Sequence, residues 1–339
     1  MTYLVVMLFL YSEDKTFIGA VACFTNILAQ LHVVLYVTAL YVLRPNILYL
    51  LKSIQHQFWE IENCKDFKLQ LDCYKTLHVL KWKYRIFCTL LFFCVLTYYY
   101  GRILESKETT PENMMFESYI PKWMNFWVMF AWQHLPAYGF PVIELAMDFT
   151  VFSIVSLTAM QFRLLRHEME VIFKDSKDGI FVMDKFRKCS EHLTFLLGFR
   201  DSVNSTFSWV VFLYLGIITL IICIEIYFIS ILENTEDMLR AVVYAALMFF
   251  EFFICYCFPA QSLVDESQKI ATTFFDSGWY NHLKYHRNTI LLLGKAQLQV
   301  NFTVGGFLNL DLQTGLTMAR SMFSYSMFLR TMTILKEEL

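Results

Sequence analysis

Four acidic residues of this chain lie inside long apolar stretches, where an ionisable side chain is costly unless it has a partner. Glu144 and Asp148 are four residues apart, so a helix would place both on one face, where they could form a polar track or share a proton. Glu225 and Glu251 each occupy a separate stretch, and hydrogen bonding between helices is the favoured interpretation for them. That interpretation also stays open for Glu144 and Asp148.

The other residues that could support chemistry form no catalytic or metal-binding motif. His282 and His286 share a helical face and could hold a metal, but no acidic or thiol partner lies nearby, so a structural contact is preferred. The sequence contains no H-E-x-x-H, G-x-S-x-G, phosphate-binding loop or C-x-x-C motif. It also lacks the inverted repeat that is typical of a transporter. We therefore predict that the protein is not an enzyme and uses no metal or cofactor.

The composition indicates that long apolar helices position these residues. Hydrophobic residues make up 57% of the 339 residues and charged residues 17%, compared with about 45–50% and about 25% in soluble domains. Only 11 glycines and 6 prolines are present, which excludes collagen and disordered chains. The net charge of −2 provides no excess of positive charge, so nucleic acid is excluded as a partner.

We expect an all-α integral membrane protein, a single domain over 1–339 that forms a seven-transmembrane helix bundle. The predicted spans are 3–11, 16–43, 85–103, 124–162, 202–232, 241–264 and 302–335. The first would reach only about 14 Å, less than half of a roughly 30 Å hydrocarbon core, so we interpret it as a truncated helix. It lacks the basic start and the cleavage site of a signal peptide.

The distribution of positive charge predicts the orientation of the bundle in the membrane. Three alternate connecting segments hold 19 lysines and arginines, whereas the other three hold 5. Because these residues stay on the cytoplasmic side, we expect a cytoplasmic N-terminus, an extracellular C-terminus and a cytoplasmic helical anchor layer formed by 44–84, 163–200 and 265–301. This orientation is opposite to that of a G-protein-coupled receptor. None of the nine cysteines lies in a predicted outer loop, so no extracellular disulfide is expected.

Six segments of the C-terminal third resemble the sequence signature of insect odorant receptors, in the same order and spacing. They are Cys255–Leu263, Glu266–Ala271, Trp279-Tyr280, Lys295–Gln297, Phe302–Phe307 and Ser324–Arg330. The resemblance extends over essentially the whole chain. Gustatory receptors share the architecture, but Ser324-Tyr325 and Arg330-Thr331 differ from the residues that they carry in the last helix. A gustatory-type channel is therefore the alternative, as is a non-functional truncated copy.

The resemblance implies an odorant-gated, non-selective cation channel in the plasma membrane of olfactory sensory neurons. It implies a small volatile odorant as ligand, and a heterotetramer with the odorant co-receptor in which each final helix contributes to a central pore. The stretch 166–190 is compact and lacks the longer loop of the co-receptor. The chain therefore resembles a tuning subunit, surrounded by membrane lipid.

The last span is the best pore candidate because its polar side chains would be costly against lipid but tolerable beside water. One helical face carries most of the candidates for the pore lining, and family position places the hydrophobic gate near Phe328 or Leu329. The candidates are Thr314, Met318, Ser321, Tyr325, Phe328 and Leu329. Packing against a neighbouring helix is an equally good explanation of this stripe.

An odorant pocket should lie in the outer half of the bundle, among aromatic and methionine side chains with a few polar groups. The topology assigns eleven residues to that region. They are Phe24, Thr25, Leu28, Phe93, Thr97, Tyr98, Phe130, His134, Tyr138, Tyr244 and Met248. Ordinary packing would explain any one of them, since aromatic side chains are abundant in this chain.

Overall fold

The computed structural model describes residues 17–106, 125–172, 179–232, 235–281 and 286–337. Helices dominate these ranges. The first predicted span, 3–11, lies outside the described residues. Helix α1 covers Phe17–Val42 and α2 covers Arg44–Gln57. The chain breaks between them because Pro45 has no amide hydrogen to continue the hydrogen-bond ladder of α1 and is well accommodated in the first turn of α2.

The next three helices are much longer than the membrane is thick. Helix α3 covers Phe67–Ser106, α4 covers Phe126–Val171 and α5 covers Gly179–Ile231. At 1.5 Å per residue, α4 and α5 are about 70 Å and about 80 Å long, more than twice a ~30 Å hydrocarbon core. Each is therefore long enough to extend well beyond a membrane-spanning segment without a break.

Helix α6, Thr235–Glu251, continues through a π-helix, Phe252–Cys257, into α7, Phe258–Phe275. The wider turns precede Pro259, which cannot donate an amide hydrogen bond and whose ring crowds the carbonyl group four residues earlier. A π-helix relieves that crowding without ending the helix.

A short helix and a hairpin connect α7 to the last helix. Helix α8 covers His286–Ala296, and strands β1, Phe302–Val304, and β2, Leu308–Leu310, pair antiparallel with Phe302 opposite Leu310. Gly305 and Gly306 between the strands have φ angles of 62° and 78°, which side chains other than glycine disfavour.

Helix α9, Leu312–Glu337, begins later than the sequence predicted. The prediction of a helix over 302–335 was wrong for its first ten residues, because the glycine pair turns the chain back into the hairpin. Asp311 therefore does not lie inside a membrane helix. Its Oδ1 accepts a hydrogen bond of 2.7 Å from the amide of Thr314, which caps the first turn of α9.

Helix α5 is central to the bundle, with contacts to α1, α4, α6 and α9, and the most extensive helix pair is α4 with α7. In the described part of the chain, four helical stretches are long and apolar enough to cross a membrane. They are Phe24–Val42, Val142–Val171, Val182–Ile231 and Met238–Phe275. Helix α9 is not among them, consistent with its polar sequence. The predicted span in α3 continues into residues whose side chains the structure does not describe.

Candidate functional site

A buried polar cluster joins α1, α4 and the π-helix at Asp148. The hydroxyl group of Tyr36 donates to Asp148 Oδ1 at 2.8 Å, and that of Tyr256 donates to the same oxygen at 2.5 Å. The two hydroxyl oxygens are themselves 2.8 Å apart. All three side chains are fully or almost fully buried. One carboxylate oxygen therefore holds three helical segments together by hydrogen bonds.

A further hydrogen bond in the cluster joins α5 to the end of α6. Tyr214 donates its hydroxyl hydrogen to Glu251 Oε1 at 2.7 Å, and its ring stacks on Tyr256 with the centroids 4.8 Å apart. Residues five apart in an α-helix point about 140° away from each other, whereas a π-helix brings positions i and i+5 into register. The π-helix is therefore what allows Glu251 and Tyr256 to enter the same cluster.

His32 and Glu144 form the next layer of the cluster, one turn before Tyr36 on α1 and one turn before Asp148 on α4. His32 Nδ1 is 3.5 Å from Glu144 Oε1, and the His32 ring meets Tyr36 edge-on with the centroids 4.4 Å apart. The two carboxylates of α4 do lie on one face, and each contacts a side chain of α1. We call these seven residues, including Tyr214, Glu251 and Tyr256, the polar cluster.

Three of the predicted pocket residues lie directly above the polar cluster, toward the end of the bundle that we expect to be outer. Leu28 packs with isoleucines of α5, and Tyr244 contacts the same group. Met248 is buried one turn before Glu251 on α6. Thr25 is also buried, and its hydroxyl group donates to the carbonyl oxygen of Val21 at 3.1 Å. These residues and the polar cluster share the inward faces of α1 and α6.

The other predicted pocket residues are not brought to this position. Phe24 and Phe93 are 46% and 58% exposed, so neither belongs to the packed interior around Leu28. Five more lie where the structure describes no side chains. They are Thr97, Tyr98, Phe130, His134 and Tyr138. Their contribution to a pocket stays a prediction.

The predicted pore face of α9 lies beside the face through which α9 packs on the rest of the chain. Thr314, Met318, Ser321 and Leu329 are partly buried, whereas Tyr325 and Phe328 are 61% and 62% exposed. The buried face of α9 carries three other residues. They are Gly315, Met322 and Ser326. In the C-terminal half of the predicted face, Tyr325 and Phe328 are thus largely uncovered by this chain.

Three hydrogen bonds and one close approach attach α9 to the bundle. The amide of Leu312 donates to Gln261 Oε1 at 3.2 Å. Cys223 Sγ donates to the carbonyl oxygen of Met322 at 3.5 Å, and the hydroxyl groups of Tyr227 and Thr333 are 2.8 Å apart. At Gly315 the backbone passes so close to the π-helix that a Cβ atom would lie 2.6 Å from Cys257 Sγ. The π-helix therefore touches both the polar cluster and the candidate pore helix.

The described residues contain no group of three or more His, Cys, Asp or Glu side chains that could hold a metal ion. His282 lies outside the described residues, so the predicted pair with His286 is not seen. His286 instead packs edge-on against Trp279, with ring centroids 5.2 Å apart.

Sequence analysis missed the partners of the acidic residues. His32, Tyr36 and Tyr214 are polar residues in otherwise apolar spans, and that was the signal that could have identified them. Three contacts of the cluster with carboxylates join residues that are more than 100 positions apart in the sequence. The spacing of residues along one helix does not reveal such contacts.

A bundle of long helices closed around a buried polar cluster defines a multi-pass membrane protein. The family model described as 7tm Odorant receptor matches residues 16–323. The chain therefore belongs to the odorant receptor family, as its sequence motifs predicted. That family is one of receptors rather than enzymes.

Two Drosophila odorant receptors match part of the chain at low sequence identity. Odorant receptor 22b of Drosophila melanogaster is 26% identical over 140 residues, 40% of this chain and 34% of that protein. Odorant receptor 43b of the same species is 21% identical over 180 residues, 51% of this chain and 44% of that protein. The match thus spans less than half the length of each.

Two solved structures of the insect olfactory receptor OR5 from Machilis hrabei share the fold. The complex with eugenol has a TM-score of 0.84 at 15% identity, covering 98% of this chain and 86% of that chain. The second structure of the same receptor has a TM-score of 0.83 at 16% identity, covering 97% of this chain and 85% of that chain. These matches confirm the predicted all-α, seven-transmembrane fold.

Proposed function

We propose that this chain is the odorant-binding subunit of a ligand-gated, non-selective cation channel. It acts in the plasma membrane of olfactory sensory neurons, in a heterotetramer with the odorant co-receptor. The observation that carries the proposal is that Leu28 and Met248 are buried about one turn before His32 and Glu251 of the polar cluster, with Tyr244 packed in the same group as Leu28, within a chain of the odorant receptor family.

A small volatile ligand fits this region chemically. Leu28 and Met248 supply apolar, adaptable surface, and Tyr244 adds an aromatic ring with a polar end. The layer of His32 and Glu144 beneath them, with Nδ1 and Oε1 3.5 Å apart, supplies polar atoms that can orient a ligand. Sites for small molecules combine an apolar lining with a few polar groups in this way.

The binding region and the pore helix are connected by packed contacts. Met248 and Glu251 are neighbours on α6, Glu251 is followed by the π-helix, and Cys257 at its end touches α9 at Gly315. A ligand that changes the packing of α6 changes the position of the π-helix, and α9 moves with it. Tyr325 and Phe328 then face the central pore, with Phe328 or Leu329 at the hydrophobic gate.

Expression with the odorant co-receptor in cells that lack chemoreceptors tests this function. Cation current evoked by at least one odorant of a broad panel is expected, and the co-receptor alone should not give the same response profile. Silence of a complex that reaches the cell surface would contradict the proposal and favour the non-functional copy.

The proposed orientation has an independent test. A C-terminal epitope tag should bind antibody on intact cells, and an N-terminal tag should do so only after permeabilisation. Exposure of the N-terminal tag alone would overturn the cytoplasmic placement of the anchor layer.

A further inference from the structure

A groove of about 430 Å³ lies between α3, α4 and α7, on the inner side of the polar cluster. Its volume is within the range of roughly 300–1,000 Å³ that small-molecule sites occupy. Phe152, which lines it, is one turn beyond Asp148 on α4. The groove is therefore separate from the proposed odorant pocket, which lies on the opposite side of the cluster.

The groove has a polar end and an apolar end. Arg163 donates to the hydroxyl group of Thr76 at 3.3 Å, whereas Phe149 packs against Tyr84 with ring centroids 4.4 Å apart, so α3 and α4 run antiparallel. Asp72, Lys75 and Thr76 are therefore near Arg163, whereas Lys83 lies beside Phe258 toward the other end. Phe152 and Phe258 line the part nearer the apolar spans. A phospholipid matches this polarity when its charged headgroup lies toward Arg163 and its acyl chains lie toward Phe152 and Phe258.

Positive charge exceeds negative charge around the polar end. The carboxylate of Glu266 is 3.4 Å from each of three cationic groups, those of Arg163, Arg166 and Lys269. Lys75 has its own partner in Asp72, at 3.7 Å. Of Glu266 and its three cations only Arg163 lines the groove, but one carboxylate among three cations leaves net positive charge beside the polar end.

Lys83 lines the groove as a half-buried cation that has no carboxylate within 4.0 Å in the described part of the chain. Its Nζ lies 5.8 Å from the centre of the Phe258 ring. Half-burial lowers the pKa of Lys83, which is the expected response of an ammonium group that has lost water without gaining an anion. An anion beside Lys83 would complete the site.

We propose that this groove binds the headgroup of an anionic glycerophospholipid, phosphatidylserine in particular. The phosphate pairs with Lys83, the serine carboxylate points toward Lys75 and Arg163, and an acyl chain lies along Phe152 and Phe258. Basic pockets between transmembrane helices on the cytoplasmic side bind anionic headgroups in this way. The assignment to the inner leaflet rests on the orientation proposed above, but binding to the groove does not.

Native mass spectrometry of the full chain in non-ionic detergent tests the proposal, with dioctanoyl phosphatidylserine as the probe and dioctanoyl phosphatidylcholine as the zwitterionic comparison. We expect a saturable phosphatidylserine adduct and at least fivefold weaker binding of phosphatidylcholine. The variant Lys83→Gln should weaken phosphatidylserine binding about fivefold, the contribution of one lysine near an anionic lipid. Lys83→Arg should retain binding, which controls for folding.

Lys81→Gln is the matched control, because Lys81 is exposed on the same helix and does not line the groove. Equal losses in Lys81→Gln and Lys83→Gln would overturn the proposal, since the effect would then come from surface charge in general. Displacement of the lipid by millimolar inorganic phosphate would also overturn it, in favour of a free-anion site. Neither result depends on channel activity, so failure here is distinguishable from failure of the proposed function.

Discussion

Gly315 is the position at which the smallest change should disconnect the π-helix from α9. A Cβ atom there would lie 2.6 Å from Cys257 Sγ, about 1 Å short of ordinary van der Waals contact. Small residues allow helices in membranes to approach this closely. The variant Gly315→Ala should therefore push α9 away from the π-helix or strain both.

The expected cost of Gly315→Ala follows from two opposing effects. Overpacking typically destabilises a protein by about 1–3 kcal/mol, and replacing a helical glycine by alanine gains about 0.8–1.0 kcal/mol. Gly216 in α5 is the matched control, because a Cβ atom there meets nothing within 4 Å. The helix-propensity gain is common to both variants, so Gly315→Ala should be less stable than Gly216→Ala by about 1–3 kcal/mol.

Two measurements on the expressed channel check this reasoning. Gly315→Ala should lower the melting temperature relative to Gly216→Ala and reduce the odorant-evoked current at equal surface expression. The double variant Gly315→Ala/Cys257→Ala removes the sulfur atom and should restore both. If Gly315→Ala behaves like Gly216→Ala, or if loss of the sulfur does not rescue it, the contact at Gly315 does not connect the two helices.

Three further predictions concern the polar cluster, the pocket and the pore. Tyr256→Phe removes one of two hydroxyl donors to a buried carboxylate and should lower the free energy of unfolding by about 1.5–3 kcal/mol; an unchanged melting temperature would contradict this. Tyr244→Ala should raise the odorant concentration for half-maximal current at least tenfold, whereas Val243→Ala on the exposed side of α6 should not; equal shifts would remove Tyr244 from the pocket. Tyr325→Cys should react with a membrane-impermeant thiol reagent in the assembled channel, and the buried control Met322→Cys should not; protection of both would place Tyr325 away from water.

The extent of α1 could be predicted from the sequence because it follows from one uninterrupted apolar stretch. The apolar stretch 16–43 ends at Arg44-Pro45, and the helix covers Phe17–Val42. Pro45 cannot donate the amide hydrogen that would continue the ladder of α1, and the charged residue before it marks the end of the apolar stretch. Helix ends that depend on such local chemistry are visible in the sequence.

The start of α9 was predicted wrongly because the pattern of apolar residues over a short segment does not separate a helix from a strand. The residues Phe302–Leu310 are mostly apolar and were assigned to the last helix, but they form a hairpin around Gly305 and Gly306. A glycine pair between two runs that alternate apolar and polar residues is a hairpin signal. The neighbouring apolar spans made a helix the more obvious assignment.

The contacts within the polar cluster could not be predicted from the sequence, for a physical reason. That Glu144 and Asp148 share one face follows from helical geometry, but their partners are chosen by the packing of α1 against α4 and by the register shift of the π-helix. Tyr256 reaches Asp148 only because the helix widens before Pro259. A contact that depends on a local change of helix type cannot be read from a regular period.

The composition of this cluster bears on what it does. Hydrogen bonds between side chains of neighbouring helices contribute only about 0.6–2 kcal/mol each in a membrane, so three tyrosines and three carboxylates fasten these helices only moderately. Hydrogen bonds between side chains nevertheless permit discrete alternative partners: Tyr256 lies within reach of both Tyr36 and Asp148. An element with alternative partners can be biased by a ligand bound above it. The position of the cluster, between the proposed pocket and the contact with α9, is where such an element would connect odorant binding to the pore.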